Sequence, residues 1–256
     1  TFHRGAHTVT RRPQTGCRSV YTAGSYSFIH TMPLELLASP WGLAIAGLLG
    51  LLVGSFLNVV IHRLPQMMER QWAAECAEFT GQPAPDHPPL NLMHPRSRCH
   101  SCGAGIVWYQ NVPVFSYLLL RGKCHACGVP IGIRYPLVEL LTGGLFAWVF
   151  AQHGTSWATL AWFGFVGAVI ALAFIDWDTT LLPDDITLPL VWAGLIVAAW
   201  GWSGVSLPDA LWGAVGGYLS LWAVYWGFKL LTGKEGMGYG DFKLFAALGA
   251  WFGWTA

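Results

Sequence analysis

The sequence predicts an all-α polytopic membrane protein, with about six transmembrane helices and one long cytoplasmic loop that carries four cysteines. Composition points there first: of 256 residues 54% are hydrophobic and only 11% charged, too little polar surface to cover a water-soluble globule of this length. Apolar runs of spanning length recur along the chain, and Lys and Arg are confined to alternate connections between them. The net charge of +1 exerts no global pull on nucleic acid.

In chain order, residues 1–31 come first. They are rich in Ser, Thr and Gly and hold Arg4, Arg11, Arg12 and Arg18 with no acid. Lacking the apolar stretch of a secretory signal, they read as a non-native or disordered extension ahead of Met32. Crossing roughly 30 Å of hydrocarbon takes about 20 apolar residues, and five segments qualify: Trp41 to Ile61, Pro136 to Gln152, Trp157 to Ile175, Ile186 to Trp202 and Ala210 to Leu231. A sixth starts near Phe242 and reads as truncated at Ala256. The domain division is then 1–31, a first span at 41–61, a cytoplasmic loop at 62–135 and a membrane domain at 136–256.

Basic residues set the orientation, because Lys and Arg beside spans stay preferentially in the cytoplasm. Arg63, Arg70, Arg96, Arg98, Arg121, Lys123 and Arg134 all lie between the first two spans, and none follows until Lys229, Lys234 and Lys243. Counting spans from a cytoplasmic first loop puts 176–185 and 229–243 on the same inner side. Only the arginines of 1–31 disagree with this parity.

Within the loop, Cys99-x2-Cys102 and Cys124-x2-Cys127 sit in near-repeats, Cys-His-Ser-Cys-Gly and Cys-His-Ala-Cys-Gly. Two such knuckles can offer four thiolates to Zn²⁺, each trailing Gly permitting the tight turn. A reducing compartment disfavours disulfides. Four thiolates close the coordination shell, so the predicted role of the metal is to fold the loop, and His100 and His125 read as exposed loop residues. Cys17 and Cys76 have no partner at a metal spacing. A short amphipathic helix is expected over Gln66 to Phe79, and a Pro-rich connection over Gln82 to Pro95.

Acids near hydrocarbon are costly and mark function by default. Asp209 reads as a helix N-terminal residue favoured by the dipole, and Glu139, near a helix start, invites the same reading. The segment Asp176-Trp-Asp-Thr-Thr-Leu-Leu-Pro-Asp-Asp185 differs, since an apolar helix ends directly in an acid and Pro183 prevents its continuation. Gly236-Met-Gly-Tyr-Gly-Asp241 leads straight into another apolar helix, and such glycines either admit a second extended chain closely or form an ordinary turn. Two carboxylates brought together can share one proton and serve peptide hydrolysis as base and acid in turn. Asp176 and Asp241 are the candidate pair, with Asp178 as the alternative to Asp176.

These residues carry a family resemblance. Gly54-Ser-Phe-Leu-Asn-Val-Val-Ile-His-Arg-Leu-Pro65, the paired cysteines, Arg134-Tyr-Pro-Leu-Val-Glu-Leu-Leu141, the stretch from Asp176 to Asp184 and Gly238-Tyr-Gly-Asp241 resemble, in order, the type IV prepilin peptidases. The last motif alone matches the wider Gly-x-Gly-Asp intramembrane aspartyl proteases. The resemblance implies that Asp241 and Asp176 are catalytic, with Gly238 and Gly240 in support and Asp184 a loop or helix-cap residue. It also implies cleavage of type IV prepilins and type II secretion pseudopilins after the Gly of a short basic leader, at the bacterial inner membrane. N-methylation of the new terminus with S-adenosylmethionine would follow. For that step the cytoplasmic loop and first span, including Asn58, are the candidate region, and Asn58 serves equally as an interhelical hydrogen-bonding residue. Partners expected are the pilin substrates and the lipid bilayer, with no nucleic acid. An ion-coupled transporter and a non-catalytic assembly scaffold are the rival classes.

Overall fold

The computed structural model describes residues 40–83, 88–107, 112–234 and 236–255, so the reading of residues 1–31 lies outside the described residues. Seven helices are present among them: α1 (Pro40–Thr80), α2 (Phe115–Leu119), α3 (Arg134–His153), α4 (Trp157–Thr179), α5 (Asp184–Ala199), α6 (Leu207–Thr232) and α7 (Tyr239–Phe252). No strand forms among the described residues, only two isolated bridges inside the cysteine knuckles.

Helix α1 differs from expectation by running unbroken through Pro65, where a span and a separate amphipathic helix were read. Proline in a helix interior forfeits one backbone bond. Burial offsets it here: the Pro65 ring is buried, and Leu57, Ile61 and Leu64 continue one packed stripe against Val138, Ile170 and Ile175 across that point. The Pro-rich segment then folds back along the helix. Arg63 donates to the carbonyls of Asn91 (2.9 Å) and Pro95 (2.6 Å), and Arg70 to that of Pro88 (2.8 Å).

Helices α1 and α3 meet through glycine. A Cβ on Gly50 would stand 2.7 Å from the Gly143 Cα, and one on Gly54 2.7 Å from the Glu139 Cα, so the two backbones touch where only small residues allow it. Asn58 crosses the same seam, donating to the Tyr135 carbonyl at 3.1 Å, as the interhelical reading had it. A second seam joins α6 to α7, where Gly213 and Gly249 lie backbone to backbone. Between α4, α5 and α7, Phe165, Leu172, Leu190, Val197 and Trp251 form the main core, and the Trp251 indole N–H donates to the Leu190 carbonyl at 2.9 Å.

Large apolar side chains also cover the outside, Trp148, Trp192 and Trp212 each at least 60% exposed. A monomer in water rarely carries so much contiguous apolar surface. Among the described residues, α1 and α4 are long and apolar enough to cross a membrane by length and composition. The other predicted spans fold as α3, α5, α6 and α7, within a few residues of their expected bounds.

Candidate functional site

Helix α4 carries its two acids in its last turn. Thr180 then takes the left-handed conformation (φ 53°) and donates its N–H to the Asp176 carbonyl at 2.8 Å, closing the helix. Leu181 and Leu182 lead to Pro183, the N-cap of α5. From the other side Gly238 caps α7, which places Asp241 at its third position. A carboxylate there reaches back to the cap N–H, and Asp241 accepts a backbone hydrogen bond from Gly238.

Gly240 explains how these segments meet. A Cβ at that position would stand 2.7 Å from the Leu182 Cβ and 3.2 Å from the Leu182 carbonyl oxygen. The bare Cα therefore lets the first turn of α7 lie against the segment just after Asp176. Gly238 faces more open space, since its Cβ would meet only the Asp241 Oδ2, at 3.9 Å. Asp176, in the last turn of α4, and Asp241, in the first turn of α7, flank this junction.

Neighbouring acids are occupied elsewhere. Asp178 holds Arg134 through both carboxylate oxygens, each 2.6 Å from Nη1, and the same guanidinium donates to the Phe174 carbonyl at 3.3 Å and lies over the Phe174 ring. Asp184 holds the Lys243 ammonium at 2.7 and 2.6 Å. Read from sequence as a loop or cap residue, Asp184 is instead the first residue of α5, tied to α7. Sequence reasoning overlooked Arg134 and Lys243 as partners. The signal was available: each is the single basic residue beside the start of an apolar helix. Asp209 matches its bland reading, closing a capping pair with Ser206 at the start of α6.

The four cysteines converge as their spacing implied. Their sulfurs all lie within 4.8 Å of one another, and Cys99 Sγ to Cys127 Sγ is 3.8 Å. Metal–sulfur bonds of about 2.3 Å in a tetrahedron require sulfur separations of about 3.8 Å, so the donor set fits a closed four-thiolate metal site. Hydrogen bonds from the Cys102 and Ser101 backbone bring the Cys99 thiol down to about 6. Cys127, although the Val129 N–H favours its thiolate, is pushed up to about 12 by burial and by the other three sulfurs. His100 and His125 stay exposed and outside the cluster, and Cys76 is free. Cys17 lies outside the described residues.

Beside the knuckles a cavity of about 460 Å³ opens between α1, the cysteine loop and the start of α3. Glu139, assigned on sequence to an ordinary helix start, is buried in its wall and accepts the Val114 N–H at 2.7 Å. Asn58 lines the same space.

Comparison with known proteins agrees with this architecture. Residues 48–153 match the family model for the bacterial peptidase A24 N-terminal domain, and residues 163–256 the model for the type IV leader peptidase family. Proteins named prepilin leader peptidase/N-methyltransferase are similar over most of the chain. The one from Burkholderia pseudomallei (strain 1026b) is 57% identical over 217 residues, covering 84% of this chain and 70% of its own. That of Pseudomonas aeruginosa is 56% identical over 208 residues (81% and 71%), and that of Aeromonas hydrophila 54% over 220 (85% and 76%). No solved structure matches the chain. With both family models matched in order and relatives above 50% identity along most of its length, the chain belongs to the type IV leader peptidase family.

Proposed function

We propose that this chain cleaves the short basic leader from type IV prepilins and pseudopilins at the cytoplasmic face of a bacterial inner membrane, and then N-methylates the new N-terminus. Its relatives' names carry both activities. The observation that carries the peptidase site is the junction of α4 and α7, where Gly240, beside Asp241, lies against Leu182, six residues after Asp176, while Asp178 is held by Arg134. This favours Asp176 as the partner of Asp241 and gives Asp178 the task of anchoring α4 to the start of α3.

Like charges held close favour a shared proton. The ionised carboxylate takes a proton from water as the oxygen attacks the scissile carbonyl, and the protonated one donates to the carbonyl oxygen. When the tetrahedral centre collapses, the leaving amine receives a proton and the pair returns to its starting state. Gly238 and Gly240 serve the geometry, the first through its N–H and the second by admitting Leu182. In this reading α1, α3, α4, α5 and α6 cross the bilayer and α7 enters it from the inner side, with lipid around the exposed tryptophans and the acids at the inner surface, where a leader that has not crossed remains.

Cys99, Cys102, Cys124 and Cys127 hold Zn²⁺, which supplies folding energy to the loop with no open position for substrate. S-adenosylmethionine supplies the methyl group. Mass spectrometry of a prepilin incubated with the detergent-solubilised protein tests the reading. Loss of the leader, with one methyl gained only when S-adenosylmethionine is present, is expected; an unshortened prepilin would refute it.

A further inference from the structure

The cavity beside the cysteine knuckles is built in a way that leader cleavage does not need. Its volume of about 460 Å³ falls within the roughly 300–1,000 Å³ of small-molecule and cofactor sites. Part of the wall is apolar, with Val59, Leu120 and Ile131 facing the space, and against it stand Asn58 and Glu139, both at least 90% buried. A carboxylate taken out of water is costly unless it is bonded. Glu139 is bonded, by the Val114 N–H at 2.7 Å and by Ser55, so it is fixed in the wall with acceptor capacity left over. The loop that closes the cavity is also fixed, through Arg63 to the carbonyls of Asn91 and Pro95 and through the cysteine cluster.

A site with a flat apolar side, one buried carboxylate and a basic rim of Arg96 and Arg98 has the chemistry for a molecule with an aromatic base, a cationic centre and a carboxylate. Its position agrees with that use. Tyr135 and Pro136 line the cavity directly after Arg134, whose guanidinium holds Asp178 at 2.6 Å, so the cavity adjoins the end of α4 that carries Asp176. An amine released at that end is delivered next to the cavity.

We infer that this cavity is the S-adenosylmethionine site, with Glu139 as the buried anion that receives the cationic end and Asn58 beside it fixing α1 to α3. The inference rests on the methyltransferase half of the proposed function. In the transfer the neutral amine's lone pair forms the new N–C bond, and the methyl–sulfur bond breaks with its electrons remaining on sulfur. The methylated nitrogen then loses its extra proton to water. Zinc has a definite bearing on the site, because the knuckles supply one of its walls.

Binding of radiolabelled S-adenosylmethionine to the whole protein in detergent, measured by equilibrium dialysis, is the test, with thermal unfolding to show that each variant is folded. Glu139→Gln keeps the shape and removes the charge, and should weaken binding at least tenfold. Val59→Trp fills the cavity and should abolish it. Photo-crosslinking of the bound label to the wild-type protein needs no variant, and should mark α1 between residues 55 and 66 or α3 between 134 and 139. A folded protein that methylates pilin while both variants bind normally, or label found on α6 or α7, overturns the site and leaves the function standing. Leader cleavage with neither methylation nor binding overturns the methyltransferase reading, and the site with it.

Discussion

Adding one methyl group at Gly240 should separate the two halves of the proposed peptidase site. Gly240→Ala places a Cβ 2.7 Å from the Leu182 Cβ and 3.2 Å from the Leu182 carbonyl oxygen, whereas carbon contacts become ordinary at 3.4 Å. The junction must therefore open by about 0.7 Å. Both neighbours are backbone or attached directly to it, so no side-chain rotation relieves the contact. Misplacing reacting groups by about 1 Å can cost on the order of 100-fold in rate, and we expect leader cleavage to fall about 30- to 100-fold. Helix stability should not fall with it, because Gly240 has no left-handed φ and alanine is the better helix former. Leu182→Ala keeps the offending Cβ and should not rescue, while Leu182→Gly removes it and should return at least about tenfold. Steady-state cleavage of a purified prepilin, with thermal unfolding alongside, measures all of this. A Gly240→Ala protein that cleaves within about twofold of wild type would refute the close-approach reasoning.

Gly238→Ala is the matched control: its Cβ meets nothing nearer than 3.9 Å and its N–H is retained, so cleavage should stay within about threefold of wild type. Arg134→Met releases Asp178, and because that ion pair is about one-third exposed on each side the loss of stability should be no more than about 1 kcal/mol; cleavage should nevertheless fall several-fold as the end of α4 loosens, a split that thermal unfolding and turnover together detect. Gly54→Leu drives a side chain into the Glu139 Cα, now 2.7 Å from a Cβ position, and should destabilise the protein by about 1–3 kcal/mol in a thermal melt. For the cysteine cluster, metal and protons compete for sulfur. Cys127, pushed up to about 12, is protonated at neutral pH, so Zn²⁺ affinity measured with a competing chelator should rise with pH above 6; below about 6, where Cys99 also protonates, it should fall more steeply. Chelation should expose the 96–130 loop to proteolysis.

Helix positions were legible because long apolar runs bounded by Gly, Pro and charged residues have few other folds, and α3, α4, α5 and α6 begin and end within a few residues of those runs. Pro65 misled because a local penalty of one lost bond says nothing of the packing that runs across it. The convergence of the four cysteines was legible, since two Cys-x2-Cys pairs of near-identical sequence bring their sulfurs to one point. Among the acids the motif order singled out Asp241 and the Asp176 to Asp184 stretch as candidates. It could not separate Asp176 from Asp178, which are two residues apart and chemically identical; that distinction depends on Arg134, 44 positions away. The burial of Glu139 was hidden for the same kind of reason. Its burial comes from α1 packing through Gly54, and its hydrogen bond from a loop residue, Val114, neither of which is visible in its neighbours in sequence.

The assignment of Asp176 and Asp241 as the catalytic pair is open to one direct measurement: cleavage of a purified prepilin by Asp176→Asn, Asp241→Asn and Asp178→Asn proteins that melt like the wild type. Each member of a true pair should lose at least 100-fold when made amide, and Asp178→Asn should keep measurable cleavage, reduced only as far as Arg134 is freed. Cleavage retained by both Asp176→Asn and Asp241→Asn would remove the two-carboxylate mechanism, and cleavage retained by Asp176→Asn but lost in Asp178→Asn would move the role to Asp178.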